Sequence, residues 1–266
     1  MRQLSAETVT YFKDNVYKTG QQNLVVEEPL AIKIEGEPYS VVMRTPGNEI
    51  FHAAGFCLSE GIIDSKEDIA SIGRCKAMDP NLVAVTLTAQ RKKKVKKLLK
   101  KRGFISQTSC GICGKGLVKD LNQIMIPVGK TAAINAGLAL GLENRLLEHQ
   151  KLFGKTYSTH AAVLLDDKLR VTAAAEDVGR HNALDKAIGS ALINGAIANS
   201  VIAVLSSRLS YELVQKGVRA GIEIIIAISR PTALAVNLAK SMNVSIARIK
   251  KDELIIFSGD DRFKDL

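Results

Sequence analysis

Two cysteines three positions apart are the residues of this chain best suited to chemistry. Cys110 and Cys113 lie in the glycine-rich run Thr108-Ser109-Cys110-Gly111-Ile112-Cys113-Gly114-Lys115. A thiolate is the strongest nucleophile among ordinary side chains, and a nearby lysine such as Lys115 favours the thiolate over the thiol. The glycines leave either sulfur open to a bulky partner, and the small polar residues favour a loop. The sequence therefore predicts an accessible loop with a reactive thiol.

Length and composition indicate one large domain or two smaller ones. The chain has 266 residues, of which 46% are hydrophobic, an ordinary value for a globular protein. No apolar run approaches the ~20 residues that span a bilayer, and residues 1–15 lack the apolar core of a secretory signal. We therefore expect a cytoplasmic protein with no membrane partner. In a reducing compartment its cysteines are not expected to form structural disulfides, and the apolar helical pattern around Cys57 predicts a core position.

The charge of the chain predicts an anionic partner. With 37 basic and 27 acidic residues the net charge is +10, which suits nucleic acid, a phosphorylated cofactor or an acidic protein surface. Much of the excess lies in residues 91–102, where Val95, Leu98 and Leu99 share one helical face. We interpret this run as an exposed helix with a hydrated surface, in preference to a docking patch. Only 5% of the residues are aromatic and none is Trp, so a nucleic-acid partner is not expected.

The first part of the chain is predicted to be rich in strands. Alternating β-branched residues indicate strands at 24–28, 30–35, 39–44 and 82–87. A turn ends at Asn48, which is expected to cap a helix that stops at Gly61. We expect residues 1–20 to form an N-terminal tail. Residues 21–128 would then form a small β-rich domain that ends in the basic helix and the cysteine loop.

The second part of the chain alternates strands with helices. Helices are predicted at 132–153, from Gly179, at 209–220 and from Pro231. Strands are predicted at 161–165 and 169–175, which form a hairpin, and at 201–205, 223–228, 244–249 and 254–257. Strands joined by helices imply a parallel or mixed sheet that is covered on both faces. We therefore predict an α/β (α+β) fold whose second domain spans residues 129–266.

Three strand ends in this second part carry polar residues suited to an anion. They supply, in chain order, Arg180 and His181, then Ser206 and Arg208, then Ser229, Arg230 and Thr232. Helix N-termini and arginine side chains bind phosphate, and open α/β sheets hold ligands at the carboxyl edge of their strands. One such loop is an ordinary helix cap, but three loops with an arginine each predict a nucleotide or pyrophosphate pocket. His181 would contact the ligand or serve a structural role.

A Cys-x-x-Cys pair has three common uses, which are a zinc site, a redox dithiol and a persulfide carrier. A zinc site needs two further ligands, and the histidines at positions 52, 149, 160 and 181 are not clustered, so no metal site is predicted. A thioredoxin-like redox pair lies between a strand and a helix, whereas this pair follows the basic helix. An exposed sulfur nucleophile beside a phosphate pocket is therefore favoured. A dithiol oxidoreductase and a basic nucleotide- or RNA-binding module remain as alternatives.

Several motifs of the chain resemble the FdhD family, the sulfur-carrier accessory proteins of formate dehydrogenase. The resemblance covers about residues 22–262 and rests mainly on the runs CGICGK at 110–115, EDVGRHNALDK at 176–186 and SRPTALAV at 229–236. It implies a small N-terminal β-rich domain and a C-terminal cytidine-deaminase-like three-layer α/β domain with a mixed sheet. The chain departs from the usual family pattern at Ser158-Thr159, Ser207, Arg230 and Arg248, which crowds the loops predicted to bind nucleotide.

The same resemblance implies an activity. Family members accept persulfide sulfur from a cysteine desulfurase and pass it to a molybdenum (or tungsten) cofactor, molybdenum bis(molybdopterin guanine dinucleotide), before its insertion into formate dehydrogenase. By motif match Cys110 carries the persulfide and Cys113 assists. A cofactor-binding segment of the family aligns with Arg248, Ile249, Lys250, Lys251, Asp252 and Glu253. The resemblance thus implies a sulfurtransferase that holds this cofactor as its substrate, and we also consider a homodimer.

Overall fold

The computed structural model of the chain describes residues 2–74, 79–101 and 125–265. The chain begins with a hairpin of two antiparallel strands, β1 (Leu4–Lys13) and β2 (Val16–Val25), in place of the predicted tail. The turn residues Asp14 and Asn15 both adopt left-handed backbone angles, with φ of 54° and 58°. Two left-handed residues make the turn that matches the twist of paired strands, so a polar segment that lacks a continuous apolar run still forms a hairpin.

A four-stranded sheet follows, and we call it the small sheet. It contains β3 (Glu28–Ile34), β4 (Glu37–Arg44), β5 (Ile69–Arg74) and β6 (Leu82–Leu87), in the order β4-β3-β6-β5. Helix α1 (Glu49–Ser59) lies between β4 and β5, and α2 (Ala89–Lys101) is the predicted basic helix. The prediction that Asn48 caps α1 is wrong, because its backbone is left-handed and its side chain makes no capping hydrogen bond.

The single long helix predicted at 132–153 is also wrong. The structure has instead β7 (Ile134–Asn135) and three short helices, α3 (Ala136–Leu140), α4 (Leu142–Glu148) and α5 (Phe153–Thr156). Asn135 starts α3 by accepting a hydrogen bond from the backbone of Leu138, so the chain before it is not helical. Gly141 separates α3 from α4. The predicted apolar stripe is only partly buried, since Leu138 and Leu147 remain exposed.

The rest of the chain forms a six-stranded mixed sheet, which we call the large sheet, together with the helices that cover it and one short further strand. In chain order they are β8 (His160–Leu165), β9 (Val171–Asp177), α6 (Arg180–Ile193), β10 (Ile202–Leu205), α7 (Tyr211–Arg219), β11 (Ile224–Ala227), α8 (Ala233–Ser241), β12 (Ser245–Lys250), β13 (Glu253–Ser258) and β14 (Phe263–Lys264). The order of the sheet is β13-β12-β11-β10-β8-β9, and β14 pairs with β7. Strands β10, β11 and β12 are parallel, whereas β8, β9 and β13 run antiparallel to their neighbours.

Helices cover the large sheet on both faces. One face packs against α6, α7 and α8, and the other packs against α3 and α4. Helix α1 packs on α6, so the buried core runs from the small sheet through α1 into the large sheet, across the predicted boundary at residue 128. Cys57 on α1 is fully buried in this core, as predicted. Within the described ranges, no helix is both long enough and apolar enough to cross a bilayer.

Candidate functional site

The predicted polar loops meet at one edge of the large sheet. Strands β10, β11 and β12 are parallel, so their carboxyl ends lie at the same edge, and the antiparallel pair β8 and β9 brings His160 and Asp177 there as well. The backbone N–H of Thr232 donates to the carbonyl of Leu209 at 3.0 Å, which joins two of these loops. We call this region, residues 158–160, 178–181, 206–212, 228–232 and 248–253, the loop edge.

Two histidines stand close together at the loop edge. The Nδ1 atom of His160 lies 3.4 Å from the hydroxyl of Ser206, which also accepts the backbone N–H of Ala161 at 2.9 Å. Burial lowers the pKa of His160, and the positive charges of Arg180 and His181 lower it further. His160 is therefore held neutral near pH 7. No role for His160 was predicted from the sequence, because its neighbour His181 comes from another element, the first turn of α6.

His181 is fixed by a carboxylate. Its Nε2 atom lies 2.9 Å from Oε2 of Glu212 and 3.4 Å from the hydroxyl of Ser210, both at the start of α7. The hydrogen bond from His181 lowers the pKa of Glu212, so this carboxylate is ionised at neutral pH. A paired carboxylate orients an imidazole ring. The arrangement fixes the imidazole of His181 at a position where the sequence predicts an anion.

The arginines of the loop edge differ in their surroundings. Arg208 and Arg230 are exposed, while Arg180 is half-buried. The Nε atom of Arg180 is buried and has no hydrogen-bond partner among the described residues. Arg248 is half-buried, and its Nε donates to the carbonyl of Ile228 at 3.2 Å. The exposed guanidinium groups of Arg208 and Arg230, together with the incompletely hydrogen-bonded guanidinium of Arg180, suit a ligand with several anionic oxygens.

Besides α6, which begins at Arg180, two further helices begin at the loop edge. Ser210 precedes α7, and Thr232 caps α8 by accepting the backbone N–H of Ala235 at 3.2 Å. The hydroxyl of Thr232 thus has a structural role, while Ser229 is half-buried in the loop before it. The first backbone N–H groups of a helix carry a partial positive charge that favours phosphate. Both helix starts therefore add to the positive potential of the arginines.

The segment predicted from the resemblance to bind cofactor forms the hairpin of β12 and β13. Lys251 has a φ of 54° and forms the turn with Asp252, and Lys250 pairs with Glu253. All four of these residues are exposed at the loop edge. Ile249 is only 2% exposed because its side chain packs in the core against the face that α3 and α4 cover. Ile249 therefore offers a ligand its backbone and not its side chain, and its role in binding cofactor stays a prediction.

A cavity of about 460 Å³ opens beside the loop edge. Its polar lining includes His160, Ser206, Gln150 and Glu143, and its apolar lining includes Phe153 and Tyr157, whose rings meet edge to face at 5.4 Å. The sequence did not indicate this cavity, because about half of its wall comes from residues 143–153, which lie in the single long helix predicted at 132–153. The lining suits a flat ring system with polar edges.

Several charged residues of the motif at 176–186 are buried and have partners within the protein. The carboxylate of Asp177 lies 2.6 Å from Nζ of Lys186 and accepts the backbone N–H of Thr45, on the segment that follows β4. Asp185 binds Nζ of Lys216 at 2.8 Å and the hydroxyl of Ser59 on α1. These contacts join the first part of the chain to the large sheet. The two motif residues predicted to bind the cofactor, Arg180 and His181, both lie at the loop edge.

Cys110 and Cys113 lie outside the described residues, so their predicted roles stay predictions. Within the described part of the chain, no group of three or more His, Cys, Asp or Glu side chains is arranged to hold a metal ion. The described residues therefore bring together a neutral histidine, a carboxylate-bound histidine and several guanidinium groups, a set that suits an anionic ligand.

The fold has a counterpart among solved structures. It is similar to the crystal structure of a candidate formate dehydrogenase accessory protein from Desulfotalea psychrophila, with a TM-score of 0.79 and 22% identity over 99% of this chain and 100% of the other. At that identity the likeness concerns the fold. Two curated relatives are each named sulfur carrier protein FdhD. The one from Mycolicibacterium paratuberculosis is 36% identical, and the one from Picrophilus torridus is 33% identical; each match covers 98% of this chain and 99% of the relative.

Residues 25–264 match the FdhD/NarQ family, and the chain belongs to that family. The match includes the cysteine pair, the motif at 176–186 and every residue of the loop edge.

Proposed function

We propose that this chain is a sulfur carrier that serves the maturation of formate dehydrogenase. The observation that carries the proposal is its membership of the FdhD/NarQ family over residues 25–264, with relatives of 33–36% identity that are named sulfur carriers. The Cys110-x-x-Cys113 pair supplies the thiol that such a role requires. The proposed sulfur donor is a cysteine desulfurase, and the exchange takes place in the cytoplasm.

The first transfer is a thiol–persulfide exchange. The Cys110 thiolate attacks the outer sulfur of the persulfide on the desulfurase. The sulfur–sulfur bond of the donor breaks, the donor cysteine leaves as a thiolate, and Cys110 holds the outer sulfur as a persulfide. Lys115 and the positive charge of the chain favour the thiolate that begins this exchange.

The second transfer uses both cysteines. The Cys113 thiolate attacks the inner sulfur of the Cys110 persulfide, and the outer sulfur leaves as hydrosulfide to bind the metal of the acceptor. The two electrons that convert the outer sulfur into sulfide come from the cysteine pair, which becomes a disulfide. A cellular thiol must then reduce this disulfide before the next round.

The acceptor in this proposal is molybdenum bis(molybdopterin guanine dinucleotide), held at the loop edge as a substrate. Arg208, Arg230 and Lys250 are exposed there and would contact the pyrophosphate groups. The buried Nε of Arg180, which has no partner among the described residues, would complete its hydrogen bonding on a ligand oxygen. The cavity next to His160 has the size and lining for a guanine ring. We also propose that the large sheet and its helices are a cytidine-deaminase-like domain, as the family resemblance implies.

Mass spectrometry of the cysteine peptides tests the role of Cys110. After incubation with a cysteine desulfurase and cysteine, the Cys110 peptide is expected to gain the mass of one sulfur atom. Cys57 is the internal control, because its thiol is fully buried and burial raises its pKa, so its peptide should stay unmodified. Absence of the added sulfur on Cys110 would contradict the proposal.

Complementation separates the proposed role from a dithiol oxidoreductase. In a strain that lacks this chain, Cys110→Ala is expected to abolish formate dehydrogenase activity. Cys113→Ala should still load sulfur on Cys110 but deliver it slowly, because hydrosulfide release loses its nucleophile. A dithiol oxidoreductase would instead lose function equally in both variants and carry no added sulfur. Full activity with Cys110→Ala overturns the proposed mechanism.

A further inference from the structure

The cavity beside the loop edge contains a buried side-chain amide that is available to a ligand. Gln150 is only 8% exposed and lines the cavity, and its side-chain amide makes no hydrogen bond with another described residue. Its backbone is fixed between α4 and α5, because its N–H donates to the carbonyl of Leu147 and its carbonyl accepts the N–H of Gly154. Buried polar side chains normally have a partner. A ligand in the cavity would supply the partner that Gln150 lacks.

The wall of the cavity is held in place by a carboxylate on β9. Glu176, the first residue of the EDVGRHNALDK motif, accepts the backbone N–H of Leu152 at 2.8 Å and that of Phe153 at 2.6 Å. It also accepts the hydroxyl of Thr159 at 2.6 Å, on the segment that leads into β8. One carboxylate thus fixes the chain before and after α5. A wall that is already ordered loses little conformational freedom when a ligand binds.

The wall has two parts of different character. One part comes from α4, α5 and the residues between them, and it carries the carboxylate of Glu143 and the amide of Gln150. The other part belongs to the loop edge and carries His160 and Ser206, and the positive charge of Arg180 is close enough to lower the pKa of His160. A nucleotide has a matching polarity, with N–H groups on its base and negative charge on its phosphates. The cavity therefore suits a base on the α4 side with its phosphates directed to the loop edge.

The hydrogen-bonding groups on the α4 side match one base better than the others. An ionised carboxylate such as Glu143 only accepts hydrogen bonds, whereas the amide of Gln150 can also donate one. Guanine presents two neighbouring donors, N1–H and the 2-amino group, beside the acceptor O6. Adenine offers the carboxylate only its 6-amino group and places an acceptor beside it. Guanine is therefore the base that satisfies both side chains.

We propose that Glu143 and Gln150 are the residues that select guanine in this cavity, an inference that rests on the proposed function. The Glu143 carboxylate accepts N1–H and the 2-amino group, and the Gln150 amide donates to O6. The rings of Phe153 and Tyr157 line the same cavity, and Tyr157 is 78% exposed, so its ring is free to stack on a base. Stacking on an aromatic ring tolerates every base. The aromatic pair therefore contributes affinity, while Glu143 and Gln150 contribute selectivity.

Calorimetry of the full chain with four nucleoside diphosphates tests the role of Glu143. The wild type should bind GDP at least about tenfold more tightly than IDP, which lacks the 2-amino group, and more tightly still than ADP. Glu143→Gln should lose at least about tenfold in affinity for GDP and gain affinity for XDP, because its new amide N–H can donate to the 2-oxo group of xanthine. A gain for XDP cannot come from misfolding. The matched control is Glu148→Gln, at an exposed position of α4 outside the cavity wall, which should leave all four affinities unchanged.

A second variant separates the role of Gln150 from that of Glu143. Gln150→Leu removes the donor to O6, which GDP and IDP share, so both affinities should fall about tenfold while their ratio stays the same. Glu143→Gln should instead lower the ratio of the two affinities.

The outcomes distinguish this inference from the proposed function. If GDP binds the wild type and Glu143→Gln equally well, or if Glu143→Gln gains nothing for XDP, these residues do not select the base, although the acceptor site at the loop edge would stand. A wild type that does not bind GDP would overturn both the inference and that acceptor site. Sulfur loading on Cys110 should be the same in all of these variants.

Discussion

The motif at 176–186 contributes to two regions of opposite character. Asp177, Asp185 and Lys186 lie where the end of β9 and helix α6 meet α1 and the segment before it, and these charges are buried and each has a partner. Arg180 and His181, from the same run, lie at the loop edge, where the arginines are half-buried or exposed. Buried, paired charges hold a structure in one arrangement, and exposed or unsatisfied ones are available to a ligand. The comparison shows that a family motif need not be a binding site along its whole length.

The largest effect is expected from Lys186→Met. The change leaves the carboxylate of Asp177 buried without its ion pair, which costs about 3–5 kcal/mol of the free energy of unfolding. Urea denaturation measures the loss, and Lys240→Met, at an exposed lysine on α8, should change little. Adding Asp177→Asn to Lys186→Met should recover part of the stability, because the unpaired charge is removed. If Lys186→Met lowered the free energy of unfolding no more than Lys240→Met does, the buried pair of Asp177 and Lys186 would not be important for stability.

A smaller loss is expected from Gly189→Ala. A methyl group on Gly189 would lie 1.7 Å from the carbonyl oxygen of Phe51, so α1 and α6 would have to separate. Forcing atoms into a packed contact costs about 1–3 kcal/mol. Gly154→Ala is the control, because a methyl group there meets no atom within 4 Å. If thermal unfolding shows the same stability for both variants, the close approach of the two helices is unimportant.

His52 makes the helix contact sensitive to pH. It is fully buried on α1, neither ring nitrogen has a hydrogen-bond partner among the described residues, and burial together with the charges of Lys186 and Lys216 lowers its pKa well below 6.5. Below pH 6.5 the unfolded chain binds a proton at this residue that the folded chain does not. Its contribution to stability is therefore complete above pH 6.5 and is lost as the pH falls, by up to about 1.4 kcal/mol per pH unit.

The variant His52→Leu tests this pH dependence. Urea denaturation between pH 7 and pH 5 should show a shallower decline than in the wild type, while the lowered pKa of His160 leaves part of the slope in place. If the free energy of unfolding fell equally steeply with pH in the variant and the wild type, His52 would bind its proton equally well in the folded and unfolded chain.

The smallest effect on stability is expected at the loop edge. The double variant Arg208→Ala, Arg230→Ala should change the free energy of unfolding by less than about 0.5 kcal/mol, because both side chains are exposed. Its affinity for GDP, measured by calorimetry, should fall at least about tenfold. Arg170→Ala, at the turn between β8 and β9 on the opposite edge of the sheet, is the matched control. Equal affinities in the two variants would place the anion site elsewhere.

The sequence predicted the elements whose local patterns are strong. Strand β6 and the hairpin of β8 and β9 lie close to their predicted positions, because continuous apolar runs bounded by polar turns specify buried strands. The hairpin of β1 and β2 was missed because about half of its strand residues are polar and its apolar residues do not alternate as in a half-buried strand. The three polar loops of the large sheet could be predicted to lie at one edge, because each follows the carboxyl end of a predicted strand and opens a helix. The partners of Asp177 and Lys186 could not, since Thr45 is more than 130 positions away in the chain.

The approach of α1 to α6 has a consequence for how the chain can be divided. Gly55 and Gly189 bring the two backbones together, and a methyl group on either would lie within 2 Å of a carbonyl oxygen of the other helix. When residues 1–128 or 129–266 are produced alone, the contact surface of α1 or of α6 is left uncovered. A cut near residue 128 should therefore yield two fragments that aggregate separately and regain structure only when they are produced together.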